Sequence, residues 1–165
     1  MLSTLTSIAE IFSQLVPKRV LVTPDLQAVI LKAGRKPRTI TNTAIWFWPF
    51  WTEVRKFPLA VEPINLQDQN IVTKDLRNLS FDVTGSFCVV EPIKSALNTT
   101  DLVGQVCNEI NRCAVRFFAG LTLQECINLI HGDGIDTFME MANEALEFFG
   151  CKVHSLDFGQ YAISL

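Results

Sequence analysis

Residues 79–90 read LSFDVTGSFCVV, with Leu79, Phe81 and Val83 alternating against Ser80, Asp82 and Thr84. Strict alternation marks a strand with one buried face and one wet face. The stretch also divides the chain. Upstream, RVLVT and LQAVILKAG read as two strands joined at the turn dipeptide Pro24-Asp25, and GRKPR reads as a second turn. EVRKFPLAVEPINLQDQNIVT is extended, with Pro58 and Pro63 placing it at a sheet edge.

Downstream the period changes to that of a helix. TTDLVGQVCNEINRCAVRFFAG puts Val103, Val106, Cys107, Ile110, Cys113, Ala114, Phe117 and Phe118 on one face and ends at Gly120. LTLQECINLIHG opens with the capping pair Thr122 and Glu125. DTFMEMANEALEFFG turns Phe138, Met141, Ala142, Ala145, Leu146 and Phe149 inward and Glu140, Glu144 and Glu147 outward. CKVHSLDFGQYAI is a short return strand. Antiparallel strands in the first half, then helices and a return strand, define an α+β fold. Residues 1–17 precede it, with Leu2, Leu5, Ile8, Phe12 and Leu15 on one helical stripe that ends at Pro17. The expected organisation is an amphipathic helix over 1–17 and one domain over 18–165.

With 165 residues and 48% hydrophobic content the chain builds a full core, and disorder is excluded. Charge is unevenly placed. Residues 1–60 hold eight Lys/Arg and three Asp/Glu, whereas residues 61–165 hold six and fourteen. A basic end on an acidic protein suits an anionic surface. Five cysteines without a CxxC pair suggest reduced core thiols and a cytosol-facing protein. No run of about 18 apolar residues is present to span a bilayer.

The basic residues bracket IWFWPFW, residues 45–51. Ile45, Trp46, Phe47, Trp48, Phe50 and Trp51 surround Pro49, with Arg35, Lys36 and Arg38 before them and Arg55 and Lys56 after. Seven successive apolar residues have no polar face, and Pro49 forbids a helix or a central strand. Covering half of about 1,000 Å² of this surface is worth on the order of 12 kcal/mol before costs. The cover is lipid, a protein partner or the chain's own core. Tryptophan favours the first, since its ring and N–H suit a lipid–water boundary.

Other chemistry finds little support. His131, Asp133 and Asp136 lack the count and spacing of a metal site, and helix capping explains the aspartates. There is no phosphate loop and no GxSxG or HExxH motif. The expectation is a non-enzyme without a cofactor. A pI near 5.4 argues against nucleic acid as a partner.

In order along the chain, four segments resemble the SPFH family of stomatins, prohibitins and flotillins. VLVTPDLQAVILKAGRKPRTITNTAIWFWPFWTEVRKF resembles its opening strands and aromatic loop. IVTKDLRNLSFDVTGSFCVVEPIKSAL resembles its Thr-x-Asp element, long strand and acidic-Pro turn. INRCAVRFFAGLTLQECI resembles its Arg-to-Gly helix end and Leu-Thr-x-x-Glu start, and ALEFFGCKVHSLDFG its return strand. Asn42-Thr43-Ala44 stands where the family has Pro-Gly. The weak amphipathic segment stands where it has a membrane helix, and the charged coiled coil that closes rings is not in the sequence.

The resemblance implies a peripheral, cytosolic-face scaffold that self-associates and organises lipids or membrane proteins, with residues 45–51 dipping into the bilayer. A soluble homo-oligomeric module with the aromatic loop at a subunit interface is the second reading. Regulation of a membrane-bound protease, as in some relatives, is the third.

Overall fold

A computed structural model describes residues 16–130, 132 and 134–164. The helix expected over 1–17 thus falls outside the described residues except for Val16 and Pro17, as do His131 and Asp133. The elements run β1 (Lys18–Lys32), β2 (Arg38–Phe47), β3 (Thr52–Pro58), β4 (Glu62–Val72), β5 (Asn78–Val89), α1 (Pro92–Asn98), α2 (Leu102–Ala119), α3 (Leu123–Ile130), α4 (Gly134–Leu146), a 3-10 turn (Glu147–Phe149) and β6 (Cys151–Ser164). This is the mixed α+β order expected from the sequence. The chain divides into two compact units, Met1–Ala60 and Val61–Leu165.

In the second unit β5 is the central strand of an antiparallel sheet ordered β4-β5-β6. Its alternation is realised: Leu79, Phe81 and Val83 are fully buried, while Ser80, Asp82 and Thr84 are not. The extended segment read as one edge is divided between β3, which ends at Pro58 in the other sheet, and β4, which carries Pro63 here, each of them an edge strand; the return strand β6, expected to be short, runs for 14 residues along β5. The helices lay one apolar face each on this sheet, through Val106, Ile110, Ala114 and Phe118 of α2, Cys126 of α3, and Phe138, Ala142 and Leu146 of α4. Phe118 is the hub, its ring centroid 5.1 Å from that of Phe81, 5.2 Å from Phe158 and 5.3 Å from Phe117. Val103, expected inward, is exposed, and Leu102 packs on the core in its place. The inward stripe of α2 runs through Leu102, Val106, Ile110 and Cys113, which leaves Val103 one residue round the helix.

Short connections in this unit are closed by side chains. The Ser95 hydroxyl donates to the Phe149 carbonyl at 2.6 Å, and the Asn98 amide to the Phe148 carbonyl at 2.6 Å. Both tie α1 to the 3-10 turn. Gly150 follows at φ +68°, and a Cβ there would meet the Glu91 carbonyl. Only glycine meets both conditions.

In the first unit β1 is central, with β2 and β3 both antiparallel to it. Here the sequence reading needs correction. Pro24-Asp25 does not end one strand and start another; β1 runs through it for 15 residues. Pairing with β2 jumps from Val22↔Thr43 to Gln27↔Thr41, so the extra β1 residues bulge out. Pro24 has no N–H to give to a ladder, and the chain accommodates it as a bulge because β2 continues to pair on both sides.

That bulge decides where the aromatic stretch goes. Lys18 pairs with Phe47 at the end of β2, and Lys32 pairs with Thr52 at the start of β3. A straight strand would hold Lys18 and Lys32 about 46 Å apart. The link from Phe47 to Thr52 reaches at most about 19 Å. Both pairings hold only because β1 curls back on itself, which brings its two ends to the same link.

Candidate functional site

The link is the aromatic tip. The Trp48 carbonyl accepts the N–H groups of Trp51 (3.1 Å) and Thr52 (3.0 Å), closing a turn over Pro49 and Phe50. Backbone groups are thereby satisfied within the turn while the side chains point away. Trp46, Trp48, Phe50 and Trp51 are 69, 51, 60 and 59% exposed. The core reading is therefore excluded for these four. Phe50 and Trp51 meet edge to face, centroids 4.7 Å apart.

Register extends this surface onto the sheet. Arg19 pairs with Trp46 and Leu21 with Ala44, so these four share one face. Leu21 is exposed as well. The opposite face carries Val20, Val22, Ile45 and Phe47, of which Val22 is buried and the others half-buried. Ile45 and Phe47 thus pack inward and stand apart from the exposed set. Taking about 200 Å² per side chain and the observed exposure, the four tip residues present about 480 Å², or about 12 kcal/mol of gross burial on transfer. Backbone desolvation and side-chain ordering lower the net value.

The cations divide into two groups. The Ala33 N–H donates to the Trp51 carbonyl at 3.1 Å, so the turn carrying Arg35 and Lys36 is fastened directly to the tip. Gly34 sits in that turn at φ +71°. Arg35, Lys36 and Arg38 are exposed, and none is in an ion pair with a described residue. Arg55, in contrast, holds the Glu53 carboxylate at 2.6 Å, and the Lys56 ammonium donates to the Leu21 carbonyl at 3.0 Å. Lys18 and Arg19 were missed in reading the site from sequence. Counting register back from the GRKPR turn through the bulge is what reveals them.

In the second unit Leu97 and Phe148 are the exposed apolar residues of α1 and the 3-10 turn. An open cavity of about 360 Å³ is lined by Glu91, Glu144, Glu147, Lys152 and Cys151 among others. Burial pushes the Cys151 thiol up to about 11, against a weaker opposing pull from the Ser95 hydroxyl. A thiol held protonated at neutral pH is a poor nucleophile. All five cysteines are free thiols. Among the described residues no group of His, Cys, Asp and Glu is placed to hold a metal, and no helix is long and apolar enough to cross a membrane.

No curated protein matches the chain. A family model described as SPFH domain / Band 7 family matches residues 20–161, across both units.

Proposed function

The chain belongs to the SPFH domain / Band 7 family, and from that membership we propose that it is a peripheral membrane scaffold which binds lipid through its aromatic tip and self-associates. The family is one of generally membrane-associated scaffolds. The observation that carries the reading is the Ala33–Trp51 hydrogen bond, which fastens to the tip the turn bearing Arg35 and Lys36, two exposed cations in no ion pair with a described residue. The indoles and Phe50 enter the interfacial layer, and Arg35, Lys36 and Arg38 hold anionic headgroups at about 1 kcal/mol each. One tip binds modestly; several in an assembly bind by avidity. Free thiols throughout support the cytosolic face.

Co-sedimentation with phosphatidylcholine vesicles, with and without phosphatidylserine, tests the proposal. Wild type is expected in the pellet with anionic vesicles, and the Trp46→Ser/Trp48→Ser/Trp51→Ser variant in the supernatant, with its oligomeric state unchanged. Equal pelleting of both would overturn the wedge. The reading of a soluble assembly module has support of its own in β2, an edge strand exposed over most of its length. No pelleting of either form, with dissociation of the variant, would favour that module.

A further inference from the structure

β1 brings cations to the aromatic tip from both of its ends. Lys18 lies opposite Phe47 and Arg19 opposite Trp46, while Lys32 lies opposite Thr52. Trp48, Pro49, Phe50 and Trp51 fall between these two points of pairing. The Trp48 carbonyl accepts the Thr52 N–H at 3.0 Å, which draws the ends of the link together. One peptide, that hydrogen bond and two inter-strand steps separate Lys18 from Lys32, so their Cα atoms are no more than about 22 Å apart. The turn carrying Arg35 and Lys36 follows Lys32 directly. The tip is thus flanked by Lys18 and Arg19 where β2 ends, and by Lys32, Arg35 and Lys36 where β3 begins. All five side chains are exposed, and none is in an ion pair with a described residue.

The acids of the same sheet are placed differently. Residues 16–60 contain two, Asp25 and Glu53. Glu53 is held by Arg55 at 2.6 Å. Asp25 is exposed and stands midway along β1, between Lys18 and Lys32. Because both ends of β1 meet the tip, its midpoint is the part of the strand farthest from the tip, roughly 20 Å along either arm. The curl therefore sorts charge within the first unit, positive at the tip end and negative at the bulge. Near an anionic surface such a charge distribution turns the tip end toward it. Cations on both sides of an apolar wedge also match a bilayer, where anionic headgroups surround any point at which a side chain enters the acyl layer. A lone acidic side chain on a protein partner would meet one flank only.

We propose that Lys18 and Arg19 are a second headgroup grip, across the aromatic tip from Lys32, Arg35 and Lys36, so that the tip holds anionic lipid on both flanks at once and the sheet stands end-on to the bilayer with Asp25 directed away. The grip rests on the lipid reading above and adds to it two residues and an orientation.

Lys18→Gln/Arg19→Gln removes both charges and keeps polar stems of similar length. Against vesicles of phosphatidylcholine and phosphatidylserine it should bind roughly 30-fold more weakly than wild type, the loss expected for two cations at a leaflet surface. On pure phosphatidylcholine the two proteins should bind alike. Sedimentation velocity and circular dichroism confirm that assembly and fold are unchanged. Asp25→Asn shifts net charge by one unit at the far end, about two Debye lengths from the leaflet. Its binding should stay within two-fold of wild type, whereas a gain of about five-fold would mean that total charge, not placement, sets affinity, and would overturn the end-on docking. Wild-type affinity in Lys18→Gln/Arg19→Gln would overturn the second grip and leave the lipid reading standing. An equal loss on uncharged vesicles would overturn it as well, since the pair would then act on the shape of the tip. If wild type binds no anionic vesicle, the lipid reading falls and the grip falls with it.

Discussion

The backbone N–H of Leu123 donates to the Asp75 carboxylate at 3.0 Å, joining the β4–β5 turn to the start of α3 across 48 residues of sequence. The Thr73 hydroxyl donates to the same oxygen at 2.6 Å, and the Lys74 N–H donates to the Leu121 carbonyl at 2.8 Å. The Thr-x-Asp element is thus a cap supplied in trans. It satisfies a helix-start N–H that α3 cannot satisfy itself. Asp75→Ala removes it. The expected result is a melting temperature lower by a few degrees and faster amide exchange at Leu123, with Asp75→Asn close to wild type because its side-chain oxygen still accepts. An unshifted Asp75→Ala melt would show that water replaces the carboxylate at no cost.

Acid should reproduce that loss. The Thr73 hydroxyl, and then the Leu123 N–H, hold the Asp75 carboxyl below the usual range; the Thr122 N–H and hydroxyl do the same for Glu125. A carboxylate whose folded pKa is depressed stabilises the fold above its unfolded pKa and ceases to as pH falls through the folded value. Stability should therefore decline from about pH 4.5 downward. Thermal melts across pH 2–7 check this, and Asp75→Asn should flatten the acid limb. A limb of equal slope in wild type and variant would acquit Asp75.

If the tip binds anionic lipid, its two nearest cations set the charge dependence. Arg35→Ala/Lys36→Ala should weaken binding to phosphatidylserine vesicles by roughly 30-fold, at about 1 kcal/mol per cation. Folding stability should not change, since both side chains are exposed and neither is in an ion pair with a described residue. Raising salt should erase the difference. An equal loss on uncharged vesicles would mean that the double variant has disturbed the tip's shape instead.

Leu76 occupies the left-handed region at φ +59° with 85% of its surface exposed. A branched side chain there costs about 1–2 kcal/mol, and Asn tolerates the region better. Leu76→Asn should raise stability by up to about 1 kcal/mol, read as a higher urea midpoint at unchanged slope. A lower midpoint would reveal that this leucine is covered in solution.

The fold was legible wherever one residue's neighbours fixed its face. Leu79, Phe81 and Val83 needed only alternation, and Phe138, Ala142 and Leu146 only the helical period. Val103 failed because two adjacent apolar residues, Leu102 and Val103, satisfy the same period, and only packing chooses between them. Pro24-Asp25 failed because a turn dipeptide says that a ladder is interrupted without saying whether the chain reverses. The exposure of the tip did not follow from composition, which left lipid, a partner and the chain's own core open; the alternation of β2 turns Ile45 and Phe47 inward and Trp46 outward, and the turn at Pro49 leaves Trp48, Phe50 and Trp51 exposed. Arg35 and Lys36 were named from their place before the stretch, but Lys18 and Arg19 were not, because their pairing with Phe47 and Trp46 is set by the register of β1 with β2.

The Lys18–Phe47 pairing has a practical corollary. An affinity tag or fluorescent protein fused ahead of Met1 would be moored within a short tether of the three indoles, where it could mask them from a bilayer or crowd neighbouring copies apart. Cleaving any such appendage before reconstitution is therefore a condition for reading the tip's behaviour as the protein's own.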